Sequence, residues 1–311
     1  LKMRDAFVKK LTELAEKDKS IFFITGDLGF GVFDNFAKRF PDQYLNVGVA
    51  EQNMTGIAAG LGLEGRKVFT YSIANFATLR CLEQIRNDAA YHDVNLTIVS
   101  SGGGFTYGGL GMSHHATEDI AILRALPGVM VLAPSTAWET YRATEKCANE
   151  EGVCYLRIEK GGISEPPFKD AHFKIGESIE MVSGGQDITF ISCGRILEEC
   201  LQAAQELKLL GINANVVSMH TIKPIDKKAI VTAALNCKAI VTVEEHNKFG
   251  GLGSAVSEVI TEQNINTRLL CIALGDQYSS IVGSQEYLRK HYALDAGSVI
   301  KKTLSLLKEI D

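Results

Sequence analysis

Short apolar runs alternate with amphipathic helical patterns along almost the whole chain of 311 residues. Consecutive parallel strands need a crossover connection, usually a helix, so this alternation predicts parallel sheets with helices on both faces. The alternation is interrupted at 161–174, which holds two of the six prolines and shows no periodicity. Such stretches are typical of loops. The sequence therefore predicts an α/β chain of two doubly wound domains, at 1–165 and 186–311, joined by a linker at 166–185.

The individual elements follow from the spacing of the apolar residues. Strands are predicted at 21–25, 44–47, 67–72, 95–101, 129–133, 153–158, 187–193, 213–219, 239–245 and 268–274. Helices are predicted at 3–17, 75–90, 117–125, 136–149, 197–210, 227–235, 253–263 and 296–310. The second set of alternating elements is shorter than the first and predicts the smaller domain.

One carboxylate occupies a distinctive place in the N-terminal domain. Glu51 follows a short strand and the turn residue Gly48, at the start of a helix rich in small and apolar residues. Apolar residues at spacings of three and four predict one buried face on this helix. Its small residues Gly56, Ala59 and Gly60 would let another backbone approach. Because the helix dipole favours a carboxylate at this end, a purely structural role for Glu51 is the alternative to a catalytic one.

Composition and charge exclude several classes of function. The net charge is -5 and there is no basic run, which argues against nucleic acid as the main partner. No apolar stretch reaches about 18 residues, so no membrane span is predicted. The N-terminus shows no signal-peptide pattern. The seven cysteines are scattered without a CxxC pair, which indicates reduced core residues of a cytoplasmic protein rather than a disulfide or zinc framework.

Three glycine-rich loops, at 26–31, 100–111 and 249–253, lack the GxGxxG fingerprint, and the chain has no P-loop motif. Tight turns at strand ends explain the third loop. The second loop runs into His114 and His115, which are poor joint ligands for one metal because adjacent side chains point different ways. Ligand sites of α/β proteins form where polar loops follow parallel strands. His114 is therefore a candidate site residue, with an ordinary surface loop as the equal alternative.

Three motifs, taken in order, resemble thiamine-diphosphate enzymes of the transketolase family. The segment VGVAEQNMTGIAAGLGLEGRKVFTYS, with NFATLRCLEQI soon after, resembles their pyrimidine-binding domain. The segments GLGMSHHATEDIAILRALPGVMVLAPS and IVTVEEHNKFGGLGSAVSEVI resemble transketolase, the latter its C-terminal domain. The resemblance covers essentially the whole chain. It implies a thiamine-diphosphate pyrimidine-binding domain followed by a transketolase C-terminal domain, together the small subunit of a split transketolase.

The resemblance assigns roles to four residues around the cofactor. It implies that Glu51 hydrogen-bonds the pyrimidine nitrogen and favours the imino tautomer, which takes the proton from thiazolium C2. Apolar helix neighbours suit this role because a low dielectric strengthens that bond. Phe76 matches the aromatic residue that stacks on the pyrimidine, with ordinary core packing as its alternative. Asp27 and Leu28 match residues beside the thiazolium and under the bent cofactor.

The resemblance also implies a substrate-binding set. His114 matches a histidine that contacts the substrate near the reacting carbon. Arg4 and Arg157 match arginines that hold the substrate phosphate, for which a guanidinium fork is well suited. Arg4 lies near the N-terminus, where a solvated helix charge is the alternative.

One motif of the family is missing. The GDG motif and its downstream asparagine, which hold the diphosphate and magnesium, have no counterpart: the chain contains GDL at 26–28 and GDQ at 275–277. A diphosphate needs a divalent cation. We therefore expect an N-terminal transketolase subunit to carry GDG and most of the Mg²⁺ ligands, in an α2β2 assembly with the active site at the interface.

Three positions depart from ordinary transketolases around the substrate. The DGPTH segment is LGMSH here, so Leu110 replaces an acid that reads a sugar hydroxyl. The phosphate-contacting histidine of the family is replaced within SSGGG, near Gly102, and Gly31 replaces a serine. These changes predict a non-standard sugar or ketoacid-derived substrate with the thiamine chemistry retained.

Three other interpretations stay open at this point. A 2-oxoacid dehydrogenase β subunit shares the AEQ and NF segments. A deoxyxylulose-phosphate synthase is usually one long chain with an intact DGPTH. A non-catalytic structural or regulatory subunit would have a decayed cofactor site, against which the presence of Glu51 and Phe76 argues.

Overall fold

The computed structural model describes residues 2–29, 31–163, 165 and 172–310. Positions 164 and 166–171 lie outside the described residues, and they include the proline pair on which the predicted linker rests. The described strands form two mainly parallel sheets with helices packed against them, which confirms the predicted α/β class.

The first sheet combines strands of the N-terminal half with one short strand from farther along the chain. Its strands are β1 (Ile21–Thr25), β2 (Tyr44–Asn46), β3 (Lys67–Ile73), β4 (Leu96–Ser101), β5 (Val129–Leu132), β6 (Val153–Ile158) and β10 (Thr221–Lys223). Their order across the sheet is β10-β5-β6-β4-β3-β1-β2, with only β10 antiparallel to its neighbour. Every residue of β4 and β6 is buried, as expected of central strands covered on both faces.

The second sheet repeats this plan on a smaller scale. Its strands are β7 (Ile179–Val182), β8 (Ile188–Ser192), β9 (Ala214–Ser218), β11 (Ala239–Asn247) and β12 (Arg268–Leu274), in the order β12-β11-β8-β9-β7. β7 pairs antiparallel with β9 at the edge. The second sheet thus begins inside 166–185, the range predicted as linker. The short strands β7 and β10 were not predicted from the sequence.

The described helices cover both faces of the two sheets. They are α1 (Met3–Lys17), α2 (Asp34–Arg39), α3 (Glu51–Leu63), α4 (Ala74–Ala77), α5 (Leu82–Gln84), α6 (Asp119–Ala125), α7 (Ala137–Cys147), α8 (Leu197–Leu209), α9 (Lys227–Asn236), α10 (Leu252–Glu262), α11 (Gln285–His291) and α12 (Ala296–Lys308). The short helices α2 and α11 were not predicted from the sequence.

The single helix predicted at 75–90 is wrong. The structure has α4, a 3-10 turn at Leu79–Cys81, α5 and a π-helical turn at Ile85–Ala90 instead. Thr78 lies at the first break, where its Oγ1 donates a hydrogen bond to the carbonyl of Ala74 at 2.6 Å. Threonine side chains that bond the backbone in this way compete with regular helix and often bend it. The break sets the positions of the residues on either side of Thr78.

Helix α3 buries the face that its apolar spacing predicts, through Met54 and Ala58 among others. Gly62 permits a close approach, since a Cβ there would lie 2.1 Å from Cγ1 of Val94. The expectation for Gly56 and Gly60 is not met within the described chain, because neither would place a Cβ within 4 Å of another group. Both glycines lie on the outer side of the helix.

Candidate active site

Loops carrying polar or aromatic side chains leave one edge of the first sheet. The strands β6, β4, β3, β1 and β2 are successive parallel neighbours, so their carboxyl ends lie side by side. Lys160 follows β6, the loop 102–118 follows β4, and Phe76 follows β3. Asp27 follows β1, and Glu51 follows β2. The carboxyl edge of a parallel sheet is the usual location of ligand sites in such folds. The candidate site therefore lies along this edge.

The Glu51 carboxylate is buried at the first residue of α3, with 2% of the residue exposed. Its Oε1 accepts a hydrogen bond from Ser72 Oγ at 3.3 Å, and its Oε2 accepts one from Arg80 Nη1 at 2.7 Å. Gly26 lies against the same group, since a Cβ built on it would be 3.4 Å from Glu51 Cγ. The helix dipole favours the negative charge at this position. The carboxylate is thus fixed by its surroundings and can share a proton with a ligand nitrogen.

The half-buried ring of Phe76 lies beside this carboxylate. Arg80 joins the two, because its Cζ is 4.4 Å from the Phe76 ring centroid while its Nη1 bonds Glu51. The helix break at Thr78 lets Phe76 and Arg80 turn toward the same place. The arrangement offers a flat aromatic face next to an acceptor, which suits a planar ligand ring carrying hydrogen-bond donors.

His114 extends the aromatic group along the loop that follows β4. Its ring centroid lies 5.1 Å from that of Phe76, edge to face, and 6.4 Å from that of Tyr107. His115, in contrast, is buried: it is 3% exposed, and burial lowers the pKa of its imidazole. The two adjacent histidines therefore point to different environments, and His114 is the one that meets the site.

A pair of basic residues, Lys160 and Arg4, lies farther along the same sheet edge. Lys160 Nζ is 3.9 Å from the ring centroid of Tyr107. Arg4 is close by because the neighbouring Met3 donates its backbone N–H to the carbonyl of Gly161 at 3.0 Å. Burial and the positive charge of Arg4 lower the pKa of Lys160. Two cations that repel each other in this way favour a bound anion.

We call this set the open row, since its members run in contact along the sheet edge and several are partly exposed. It consists of Glu51, Arg80, Phe76, His114, Tyr107, Lys160 and Arg4.

Arg157, predicted as a ligand of the substrate phosphate, is not part of the open row. It lies inside β6, is 2% exposed, and its Nε donates to Asp119 Oδ2 at 2.8 Å. Its Nη2 donates to the carbonyls of Ala116 and Glu245. Burial acts to lower the pKa of Arg157, but the carboxylates led by Asp119 outweigh it and raise that pKa. Two of the three guanidinium nitrogens of Arg157 are thus already engaged inside the protein.

The surroundings of Arg157 form a larger ionic group between the two sheets, which we call the buried ion cluster. Arg289 on α11 donates through Nε to Glu245 Oε2, and burial followed by the charge of Glu245 raises the pKa of Glu159. All members are at most 2% exposed: Asp119, Arg157, Glu159, Glu245 and Arg289.

Asp27 and Leu28 lie at the same sheet edge as Glu51. Asp27 has φ +55°, an unusual value for a residue other than glycine. Two hydrogen bonds hold it there, from its backbone N–H to Asn46 Oδ1 and from Asn46 Nδ2 to its own Oδ1, both at 3.1 Å. Leu28 is half-buried and packs against buried apolar residues. The turn places Asp27 directly after Gly26, the residue that lies against Glu51.

Comparison with known families identifies the two halves of the chain. Residues 1–164 match the family described as "Transketolase, pyrimidine binding domain", and residues 177–299 match "Transketolase, C-terminal domain". The chain belongs to the transketolase family. These matches confirm the expected fold and family. Enzymes of this family depend on thiamine diphosphate.

Several relatives of this transketolase chain are separate subunits of similar length. It is 36% identical over 308 residues to one of the subunits of the apulose-4-phosphate transketolase from Phocaeicola vulgatus, with 98% of this chain and 97% of that one covered. It is 33% identical to the "6-deoxy-6-sulfo-D-fructose transketolase subunit SqwH" of Clostridium sp., covering 96% and 92%. A solved structure described as "Split gene transketolase, inactive beta4 tetramer" aligns with a TM-score of 0.90 and 35% identity, covering 99% of each chain.

Sequence reasoning missed three residues of the open row in this transketolase chain. Tyr107 fills the space beside Gly102, where a Cβ would lie 2.2 Å from its ring. The position of Lys160 relative to β6 was an available signal, because Lys160 follows the end of the strand whereas Arg157 lies within it. Arg80 carried no signal, since its position depends on the helix break at Thr78.

Two kinds of feature are absent from the part of the chain that the structure describes. Within those ranges, no helix is long and apolar enough to cross a bilayer. The same residues contain no group of three or more His, Cys, Asp or Glu side chains that could hold a metal ion.

Proposed function

We propose that this chain is the C-terminal subunit of a two-subunit transketolase that moves a two-carbon ketol unit from a ketose to an aldose. The observation that carries the proposal is the buried carboxylate of Glu51, fixed at a helix N-terminus beside the accessible ring of Phe76. Family membership and the full-length match to separate transketolase subunits support it.

The residues around Glu51 fit the pyrimidine end of thiamine diphosphate. A carboxylate next to an aromatic face matches a flat ring whose nitrogen shares a proton with an acid. When bound, thiamine diphosphate supplies the carbon nucleophile that takes up and passes on the two-carbon unit. Glu51 then holds a proton at the ring nitrogen, Phe76 orients the ring by stacking, and Asp27 and Leu28 bound its far side. The low dielectric around Glu51 strengthens its hydrogen bond.

The other end of the open row would bind the sugar. His114 lies between the aromatic group and the basic pair, so its imidazole can hydrogen-bond oxygen atoms near the reacting carbon. Lys160 and Arg4 provide two positive charges for an anionic group at the end of the substrate. We assign this role to Lys160 in place of Arg157, because the guanidinium of Arg157 is bonded to Asp119.

A partner subunit would complete the site. A diphosphate is held through a divalent cation with oxygen ligands, and the described residues offer no such cluster. We propose that an N-terminal transketolase subunit carrying GDG supplies most of the Mg²⁺ and diphosphate contacts in an α2β2 heterotetramer. The similar structure that contains only β chains is described as inactive, which supports a division of the site between two polypeptides.

The substrate would differ from the standard pentose phosphates. Leu110 is 57% exposed where ordinary transketolases have an acid, and the Tyr107 ring occupies the space next to Gly102. Two relatives are named for apulose-4-phosphate and for 6-deoxy-6-sulfo-D-fructose, sugars that each carry an anionic group. We propose a non-standard ketose with an anionic end, bound by Lys160 and Arg4.

Reconstitution tests this function. The chain is co-purified with the product of the adjacent reading frame and assayed with thiamine diphosphate and Mg²⁺ on a panel of anionic ketose donors and aldose acceptors. We expect turnover by the pair and none by either chain alone. Strong activity of this chain alone would contradict the divided site, and near-normal activity on xylulose 5-phosphate plus ribose 5-phosphate would contradict the altered substrate.

A further inference from the structure

The side chain of Arg80 occupies the position in which the open row would receive its cofactor ring. Its Nη1 donates to Glu51 Oε2 at 2.7 Å, and its Cζ lies 4.4 Å from the centroid of Phe76. An aminopyrimidine ring held by Glu51 and stacked on Phe76 would make the same two contacts. A guanidinium resembles such a ring chemically, because both are flat, polarisable and carry N–H donors in their plane.

We propose that Arg80 is a stand-in for the aminopyrimidine ring, which holds Glu51 and covers Phe76 in the unliganded chain and moves out when thiamine diphosphate binds. The inference rests on the proposed function, since it takes Glu51 and Phe76 as the contacts of the cofactor. Arg80 is then a positioning residue that acts through the carboxylate, and it never touches the reacting atoms.

The carboxylate leaves little choice about which group must move. Glu51 Oε1 already accepts from Ser72, so Oε2 is the oxygen for which Arg80 and a ligand nitrogen compete. Arg80 can leave readily, because 43% of its side chain is exposed and its long stem pivots at a short helical turn near the surface. Glu51 cannot follow it, because it is 2% exposed and belongs to the rigid start of α3.

Charge explains why a stand-in is useful here. An ionised carboxylate that is buried without a partner strongly destabilises its surroundings. In the proposed division of the site between two subunits, Arg80 gives the Glu51 carboxylate a partner and holds it in place before the cofactor binds. The same contact weakens cofactor binding, because only the fraction of molecules with Arg80 displaced is competent to bind.

The test measures cofactor binding rather than turnover. The Arg80→Met variant keeps the length and apolar stem of the side chain but removes the guanidinium. In the reconstituted complex with Mg²⁺ and no substrate, calorimetry should show thiamine diphosphate binding about 3- to 10-fold tighter than in the unmodified complex. The matched control is Arg142→Met, which removes a similarly exposed arginine paired at 3.0 Å with Glu145 on α7, away from the site. The control should leave the Kd unchanged.

A refilling experiment gives a second measurement. Arg80→Ala opens a space beside Glu51 that methylguanidinium can occupy. We expect methylguanidinium chloride to weaken cofactor binding to the Arg80→Ala complex, while sodium chloride at the same ionic strength has a smaller effect. The unmodified complex, whose space is already filled, should respond equally to the two salts.

An unchanged or weaker Kd in Arg80→Met would overturn the proposal, as would a fall in kcat at unchanged Kd, which would indicate that Arg80 supports the loaded site. The failure of the proposed function would look different. In that case Glu51→Gln, examined in the same complex, would alter neither cofactor binding nor turnover.

Discussion

The open row and the buried ion cluster both include residues in or just after the last residues of β6, yet their charged groups have opposite surroundings. Arg157 belongs to the cluster, where its donors are taken up by Asp119 and by backbone carbonyls. Lys160, three positions later, is exposed and faces the ring of Tyr107 and the like charge of Arg4. The difference shows that the type of residue at a strand end does not decide its role.

The comparison separates stabilising groups from binding groups by a physical criterion. In the cluster, opposite charges are paired at 2% exposure or less, so removing one partner leaves an unpaired charge in the interior. In the open row, the arginines that are paired keep accessible side chains, 43% exposed for Arg80 with Glu51 and 34% for Arg4 with Asp5, and the rings are partly accessible. Substitutions in the cluster should therefore act on folding, and substitutions in the row should act on binding and catalysis.

The largest expected effect in the open row comes from Glu51→Gln. Glutamine keeps the shape of the side chain but cannot exchange a proton with a ring nitrogen, so kcat of the reconstituted complex should fall by about 10²- to 10⁴-fold. The melting temperature should change little, since the amide still fits between Ser72 and Arg80. Turnover within a factor of about two of the unmodified complex would place Glu51 with the structural carboxylates instead.

The matching change in the buried ion cluster is Arg157→Met. It leaves the Asp119 carboxylate unpaired in the interior and should lower the free energy of unfolding by about 3–5 kcal/mol, seen as a lower melting temperature. The double variant Arg157→Met/Asp119→Leu, which removes both charges, should recover part of this loss. If the single variant kept its stability but lost affinity for an anionic substrate, the assignment of Arg157 to the cluster would be wrong.

A smaller effect is expected for Lys160→Met, which removes one charged contact to the substrate anion. KM for an anionic donor should rise about 10-fold, corresponding to about 1.4 kcal/mol, with little change in kcat. Because burial and Arg4 lower the pKa of Lys160, KM of the unmodified complex should rise on the alkaline side below pH 10.5 as this group loses its proton. Lys160→Arg should abolish that alkaline rise, since arginine stays charged.

The smallest effect should come from salt. Raising the ionic strength from about 0.05 to 0.5 M screens exposed charges but acts weakly on buried ones. KM for the anionic donor should rise about 2- to 3-fold, whereas the melting temperature should show no destabilisation of the cluster. A melting temperature that falls with salt while KM stays constant would reverse the comparison between the two regions.

Much of this arrangement could be predicted from the sequence because it depends on local pattern. The strands at Ile21–Thr25, Val153–Ile158 and Arg268–Leu274 have the predicted bounds, since runs of apolar residues specify them directly. Prediction failed at 75–90, where the hydrogen bond from Thr78 to Ala74 overrides helical spacing. No local signal reveals the ion pair of Arg157 with Asp119, because Asp119 lies 38 positions away.

The sequence by itself determined the α/β class, the transketolase resemblance and the choice of Glu51, Phe76 and His114, because apolar periodicity and short motifs are properties of neighbouring residues. Only the tertiary structure decided that Lys160 is exposed whereas Arg157 is buried. It also decided that Arg80 lies between Glu51 and Phe76. Those outcomes depend on side chains brought together from different strand ends, where burial and charge pairing act over distances in space that residue order does not contain.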